Sequence, residues 1–323
     1  MDVSIVIPTK NGGELFDEVL DMIDKQVTEY TYEVICVDSG STDKTLDYIK
    51  KHKCILKKIA KEDFGHGKTR NLGASLGTGE FIVFITQDAK PASKEWLQNF
   101  IDAMKIDPDI AGGFGIHYPY DDCNIFDKRD ITALFKGYGE DNTIYQIEDR
   151  DRYETEEGYR HLLAFYSDNN SCMRRIFWEK YPYDDVNFAE DQIWAKKIIE
   201  LGLKKLYCPF APVYHSHNYP LNTYLRRYYD EYKGLYNVHG YIMVKNIPKL
   251  LVGYYRYLKN DLKYVHQLNM DMKEKNKWYK YAIIRDWYRF YASYLAGKYQ
   301  RVSENKKIKL DKKYSQQLEQ IKK

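Results

Sequence analysis

Val3-Ser4-Ile5-Val6-Ile7-Pro8-Thr9-Lys10-Asn11 opens the 323-residue chain with an apolar, β-branched run that stops at a proline. A short run of this kind reads as a buried parallel strand leaving its sheet for a loop. Leu15, Val19, Leu20, Met22 and Ile23 fall on one side of a helix over residues 14–26, and residues 32–37 form a second strand stopped by Asp38-Ser39-Gly40-Ser41. That is a βαβ unit. The pattern continues with Asp43 capping a helix over 44–51, a short strand over 54–59, a helix over 70–76, a strand over 81–85, and Ser93 capping a helix over 94–105. Alternating strands and helices imply an α/β fold built on a doubly wound, mostly parallel sheet flanked by helices.

Working outward, residues 112–158 break into Gly, Pro, Asp and Tyr clusters and read as an irregular excursion. Order resumes with helices over 175–180 and 189–201, the second ended by Gly202, and a strand over 206–214 that leads into His215-Ser216-His217. Past Pro220 the spacing of Leu225, Tyr228, Tyr229 and Tyr232 is helical, with an interruption near Pro248 and a final stretch, 304–323, expected to fray. The chain therefore divides into a catalytic-type domain over 1–220 and a helical region over 221–323.

Charge separates the same two parts. Residues 1–220 carry a net −11 and residues 221–323 a net +14, and the second part also holds 17 of the 32 tyrosines. A basic, Tyr-rich helical region suits an anionic polymer or a membrane interface. No apolar run approaches the ~20 residues of a membrane span, and nothing at the start resembles a signal peptide, so the expected place is the cytosol. Five scattered cysteines without a C-x-x-C pair read as reduced thiols rather than a disulfide framework or zinc site.

In a doubly wound sheet the binding crevice lies at the carboxyl ends of the strands. Asp38 stands at such an end; it either caps a plain turn in which Gly40 takes positive φ, or accepts the imide N–H of a pyrimidine base. Asp88 ends Phe81-Ile82-Val83-Phe84-Ile85-Thr86-Gln87-Asp88 and suits a hard cation on a diphosphate, which needs only one or two protein carboxylates; the plainer reading is a solvated loop acid. His215 and His217 either add nitrogen ligands or form a structural pair. Phe64-Gly65-His66-Gly67-Lys68-Thr69-Arg70 brings cations to a helix start, as a phosphate cradle or as ordinary surface charge. It lacks the P-loop spacing, and no G-x-G-x-x-G follows the first strand. Glu190 and Asp191 open a helix, where they favour the helix dipole or, for Asp191, act as a general base.

The ordered set Ile-Pro-Thr-Lys-Asn, Val-Asp-Ser-Gly-Ser-Thr-Asp, Thr-Arg-Asn-x-Gly-Ala, the strand ending in Asp88, and Glu-Asp resembles a family 2 glycosyltransferase of the GT-A fold over residues 1–220. Within that family His66–Asn71, Thr86–Ala89, Phe188–Gln192 and Tyr214–His217 are most similar to bacterial rhamnosyltransferases. The resemblance implies a nucleotide-sugar donor, a divalent cation (Mg²⁺ or Mn²⁺) and an inverting single displacement. It places Pro8, Thr9, Asn11, Asp38, Ser39, His66, Lys68, Arg70, Gln87 and Asp88 on the donor side, with the base and ribose at Pro8, Thr9 and Asp38. Asp191 would be catalytic, and Asp168, Asn170, Glu190 and Trp194 would line the acceptor side. Asp88 would hold the metal with His215, preferred over His217. The family's D-x-D reads Thr86-Gln87-Asp88 here, without its first acid. The implied reaction moves L-rhamnose from dTDP-rhamnose to a lipid-linked saccharide of a cell-surface polysaccharide such as a capsule or O-antigen, by an enzyme peripheral to the cytoplasmic membrane and able to form a homo-oligomer. A UDP-sugar donor, a nucleotidyltransferase and an inactive glycan-binding scaffold are the rivals, and no nucleic-acid partner is expected.

Overall fold

The computed structural model describes residues 1–186 and 188–316. Two compact units divide it, Met1–His217 and Asn218–Lys323. The first carries the sheet. Its elements are β1 (Val3–Thr9), α1 (Gly13–Asp24), β2 (Tyr32–Asp38), α2 (Thr45–Lys51), β3 (Ile55–Lys58), α3 (His66–Leu76), β4 (Phe81–Ile85), β5 (Lys90–Pro91), α4 (Trp96–Lys105), β6 (Ile110–Tyr118), α5 (Ile125–Lys136), β7 (Thr143–Tyr145), α6 (Arg150–Thr155), α7 (Glu157–Ala164), β8 (Asn170–Arg174), α8 (Arg175–Lys180), α9 (Glu190–Glu200) and β9 (Lys204–Tyr214).

The strands lie in the order β3-β2-β1-β4-β8-β6-β9-β5, with β7 also on β9. β3, β2, β1 and β4 run parallel, as the apolar runs imply. Beyond β4 the sheet is mixed: β8 is antiparallel to both β4 and β6, whereas β6 and β9 are parallel. An antiparallel strand begins where its parallel neighbours end. Asn170, the first residue of β8, pairs with Ile85, the last of β4, so the loop before β8 joins the loops after β1, β2 and β4 at one sheet edge.

Both faces are covered. Phe16, Leu20, Trp96, Phe100 and Met104 from α1 and α4 fill one side; Phe84, Phe114, Tyr166, Tyr183 and Trp194 fill the side of α3 and α9. Lys205, 1% exposed, donates to the carbonyls of Leu162, Leu163 and Phe165 at 2.9, 2.7 and 2.6 Å, pinning the segment that leads to β8.

Three local readings are corrected. The 112–158 stretch is largely regular, holding most of β6, then α5, β7 and α6. Three of its six glycines, Gly112, Gly113 and Gly115, belong to a crowded central strand: a Cβ at Gly115 would sit 2.2 Å from Asn170 Nδ2, and one at Gly112 2.7 Å from the Tyr166 hydroxyl. Ser93 does not cap α4, which starts at Trp96; its carbonyl accepts from Gln26 Nε2 at 2.9 Å. The helix expected over 70–76 begins four residues earlier, at His66.

The second unit is helical: α10 (Leu221–His239), α11 (Ile247–Gln267), α12 (Met272–Tyr299) and α13 (Glu304–Tyr314). Pro248 sits in the first turn of α11, where its missing N–H costs nothing. Of the terminal stretch expected to fray, 304–314 is helix and 317–323 lies outside the described residues. Among the described residues no helix is long and apolar enough to cross a membrane.

Candidate active site

Asp38 ends β2 almost fully buried. Its Oδ1 accepts from Gly40 N and Ser41 N at 3.0 Å each, and its Oδ2 accepts from Thr9 Oγ1 at 3.2 Å and from the Ser41 hydroxyl. Four donors occupy the roughly four acceptor positions of the carboxylate. The turn is as expected, with Gly40 at φ +95°. A base imide can reach Asp38 only by displacing one of these donors, so the immediate work of the acid is to shape the loop. Ser39 N donates to Thr9 O at 3.0 Å, and half-buried Pro8 pairs with Val37.

The loop after β1 is stitched to the same turn. Asn11, at φ +47°, takes the Ser41 hydroxyl as acceptor for its N–H at 2.9 Å and accepts Thr42 N at 2.8 Å. Gln87 reaches across from β4 and makes a reciprocal pair with Lys10, Oε1 accepting at 2.8 Å and Nε2 donating at 3.1 Å. Pro8, Thr9, Asn11, Asp38, Ser39 and Gln87 are therefore brought together.

Arg70 is not. The residue is 4% exposed and its guanidinium is turned inward, with Nη1 on Glu190 Oε1 at 2.8 Å and Nε 3.4 Å from Asp168 Oδ2. Burial alone would weaken its charge; Asp168 and Glu190 reverse that and raise its pKa. The donor-phosphate reading of Arg70 is corrected: a cation sealed between two carboxylates is their counter-charge. Glu190, 6% exposed, is its partner and not an open acceptor group. Lys68, half-buried with no ion pair among the described residues, and His66, edge-on to Phe64 at 5.1 Å, remain at the mouth of α3.

Asp168, Glu190 and Asp191 gather round Arg70. Asp168 accepts from Ser171 Oγ at 2.9 Å and from the Tyr183 hydroxyl, and burial raises its carboxyl to about 6 against the opposing pull of Arg70. Asp191 is half-buried, and its Oδ2 accepts Asp168 N at 3.3 Å. Burial, then the negative charges of Asp168 and Glu190, push its pKa well above the ordinary carboxylate range. Ala189, just before, holds φ +62°, a strained conformation that costs about 1–2 kcal/mol and turns the chain into α9.

Two acceptor-side assignments are also corrected. Asn170 is fully buried, accepting Trp96 Nε1 at 3.0 Å and donating to Ala211 O at 2.7 Å. Trp194 is 2% exposed, donates to Tyr181 O at 2.7 Å and packs on Tyr166 and Tyr183. Alternation along β8 sends Asn170 to the α4 face. Asn170→Ala should lower folding stability by about 2–4 kcal/mol, since it strands two buried partners. Denaturant unfolding checks this, and an acceptor-binding Asn170 would instead leave stability unchanged.

Asp88 faces both histidines. His215 Nε2 lies 3.6 Å from its Oδ1 and His217 Nδ1 3.6 Å from its Oδ2, distances beyond hydrogen bonding. Burial raises the Asp88 pKa, but the two imidazoles outweigh it and hold the carboxyl below its usual value. One donor atom from each of the three residues falls within 4.8 Å of the others, a carboxylate-plus-imidazole set able to hold a divalent cation. His215 and His217 share the cluster on equal terms. Asp17 and Asp21 on α1 and His52 just after α2 form another such group; His52 lies 2.9 Å from Asp17 and 2.6 Å from Asp24, and Lys51 adds a bond to Asp17 at 2.8 Å, so these pairs clamp two helices.

Three further residues join the site without a sequence signal: Tyr183 on Asp168, Tyr120, whose hydroxyl donates to Asp88 O at 3.1 Å, and His117. The His117 ring is 6% exposed and edge-on to His215 at 5.6 Å, and its Nε2 has no hydrogen-bond partner among the described residues. None of them lies in a motif that marks it.

Strand ends bring a shaped turn and a carboxylate–imidazole cluster to one edge of the sheet, α9 opens with a raised carboxyl, and the fold is GT-A. The family model for glycosyl transferase family 2 matches residues 4–179, and the chain belongs to that family. It is 34% identical over 235 residues to the O-antigen chain rhamnosyltransferase RfbN of Salmonella typhimurium, 71% of each chain, and 30% identical over 232 residues to WbaN of Salmonella anatum, 70% of each. Among solved structures it is similar to the Pyrobaculum calidifontis mannosyltransferase PcManGT in complex with GDP-Man and Mn²⁺, with TM-score 0.59 and 17% identity over 93% of this chain and 88% of that one. Staphylococcus aureus TarS 1-349 with UDP-GlcNAc gives 0.54 and 16% over 93% and 92%.

Proposed function

We propose that this glycosyltransferase moves L-rhamnose from dTDP-rhamnose to a hydroxyl of a lipid-linked saccharide, with inversion, at the inner face of the cytoplasmic membrane. One observation carries the catalytic reading: the backbone of Asp168 touches Asp191, and the side chain of the next residue, Asn169, touches His215 Nδ1 at 3.3 Å, so one short loop links the raised carboxyl to the Asp88 cluster. Similarity to two O-antigen chain rhamnosyltransferases supports the sugar.

In this reading the loops around Asp38 and Asn11 seat the nucleoside, and Lys68, the cation left outside the Arg70 cluster, meets the diphosphate. The acceptor oxygen bonds to the anomeric carbon while Asp191 takes its proton. The bond from that carbon to the diphosphate oxygen breaks, and its electron pair leaves with the diphosphate. A divalent cation held by Asp88, His215 and His217 would neutralise charge on the leaving diphosphate as a Lewis acid, and the two nitrogens favour Mn²⁺ over Mg²⁺.

The raised Asp191 sets a pH dependence. The base works only when ionised, so kcat should fall with decreasing pH along an acid limb above the ordinary aspartate value of about 4. A pH–rate profile tests this, and a limb near 4 would contradict it. The donor is tested by transfer assays with dTDP-rhamnose against UDP-sugars: turnover with a UDP-sugar alone would replace rhamnose and keep the mechanism.

A further inference from the structure

In the Asn218–Lys323 unit, α10, α11 and α12 enclose a cleft of about 570 Å³ whose walls include Tyr232, Val252, Tyr257 and Phe290. Among the described residues three cations, Lys249, Arg256 and Arg289, line it and no carboxylate does. Arg289 is the fixed one. Its Nη1 donates to the Tyr257 hydroxyl at 2.5 Å, its Nε to the Tyr232 hydroxyl at 3.4 Å, and its guanidinium lies 4.8 Å from the Tyr257 ring centre. Aromatic walls around a held guanidinium suit a ligand with one anionic group and an apolar body.

The outer surface of α11 agrees. Ile247, Leu251 and Tyr255 recur every four residues, and with Val252 they leave an apolar strip more than half exposed. Beside it Lys249, Arg256 and Lys263 recur every seven residues along the helix, the first two at the cleft. An apolar strip edged by cations fits a bilayer surface carrying negative charge.

We infer that this cleft binds the phosphate head and adjoining chain of an anionic membrane lipid, the phosphate between Arg256, Lys249 and Arg289 and the chain against Val252 and Phe290. The inference rests on the membrane reading above and narrows it to one site, distinct from sugar transfer.

The test is co-sedimentation of the full chain with phosphatidylcholine vesicles, with and without phosphatidylglycerol. Binding should require phosphatidylglycerol and weaken about tenfold or more in the double variant Lys249→Glu, Arg256→Glu, but less than about twofold in Lys273→Glu, Lys277→Glu at the start of α12. Unchanged calorimetric nucleotide-sugar binding and unfolding midpoint in each variant show that the fold is kept; if the cleft variant loses them, Val252→Asp replaces it with the same expected loss. Equal loss in both double variants would leave membrane contact standing and overturn the cleft. Displacement from vesicles by inorganic phosphate alone would overturn the lipid assignment, and no vesicle binding would overturn both it and the membrane reading.

Discussion

Asp191→Asn should reduce turnover by about 10²–10⁴-fold while leaving nucleotide-sugar affinity unchanged. The amide keeps the shape, and its oxygen can still accept from Asp168 N at 3.3 Å, so the loop that joins this residue to His215 stays in place, at the expense of the hydrogen bond from Gln192 N at 2.8 Å. The capacity to take a proton is lost. The neighbours make this carboxyl unusually basic, through burial and two nearby acids, whereas Glu190 beside it is engaged by Arg70 at 2.8 Å. Steady-state kinetics with calorimetric donor binding separates the outcomes. Unchanged turnover removes Asp191 as the base, and lost binding moves it to the donor site.

Arg70→Met should destabilise the folded protein by about 3–5 kcal/mol, because it leaves buried Asp168 and Glu190 without their cation. The deficit should depend on pH. A carboxyl whose folded pKa lies above its unfolded value binds its proton more tightly when folded, so its ionisation penalty is fully present above the folded pKa and fades as pH falls toward the unfolded one. Asp168 stands at about 6 with Arg70 in place, and removing the cation raises it further. The variant should therefore approach wild-type stability on acidification from pH 8 toward about 5, read by denaturant unfolding across pH. A surface or phosphate-binding Arg70 would give a small, pH-independent effect.

The parallel half of the sheet is legible because β1, β2 and β4 are apolar, β-branched runs ended by Pro, Asp or Gly turns, and each signal is local. β6 is illegible for an equally physical reason. Gly112 and Gly115 sit where Tyr166 and Asn170 leave no room for a Cβ, and crowding across a sheet looks like a loop in one dimension. The site divides the same way. Asp38, Gln87, Asp88 and the histidines stand at strand ends or within three residues of them, so strand ends locate them. Arg70 meets a partner 120 residues away, and nothing near it in sequence tells a phosphate-binding arginine from a buried counter-charge. Asn170 and Ser171 are buried neighbours on opposite faces of β8, so the strand's alternation decides which of them meets Trp96 and which meets Asp168.

The most direct measurement is calorimetric titration of the full chain with dTDP-rhamnose and with UDP-sugars, with and without Mn²⁺, in wild type and Asp88→Ala. The account predicts saturable dTDP-rhamnose binding, tightened about tenfold or more by Mn²⁺ in wild type and insensitive to Mn²⁺ in the variant. Absence of binding to any nucleotide sugar, or an Mn²⁺ effect that survives loss of Asp88, would contradict it.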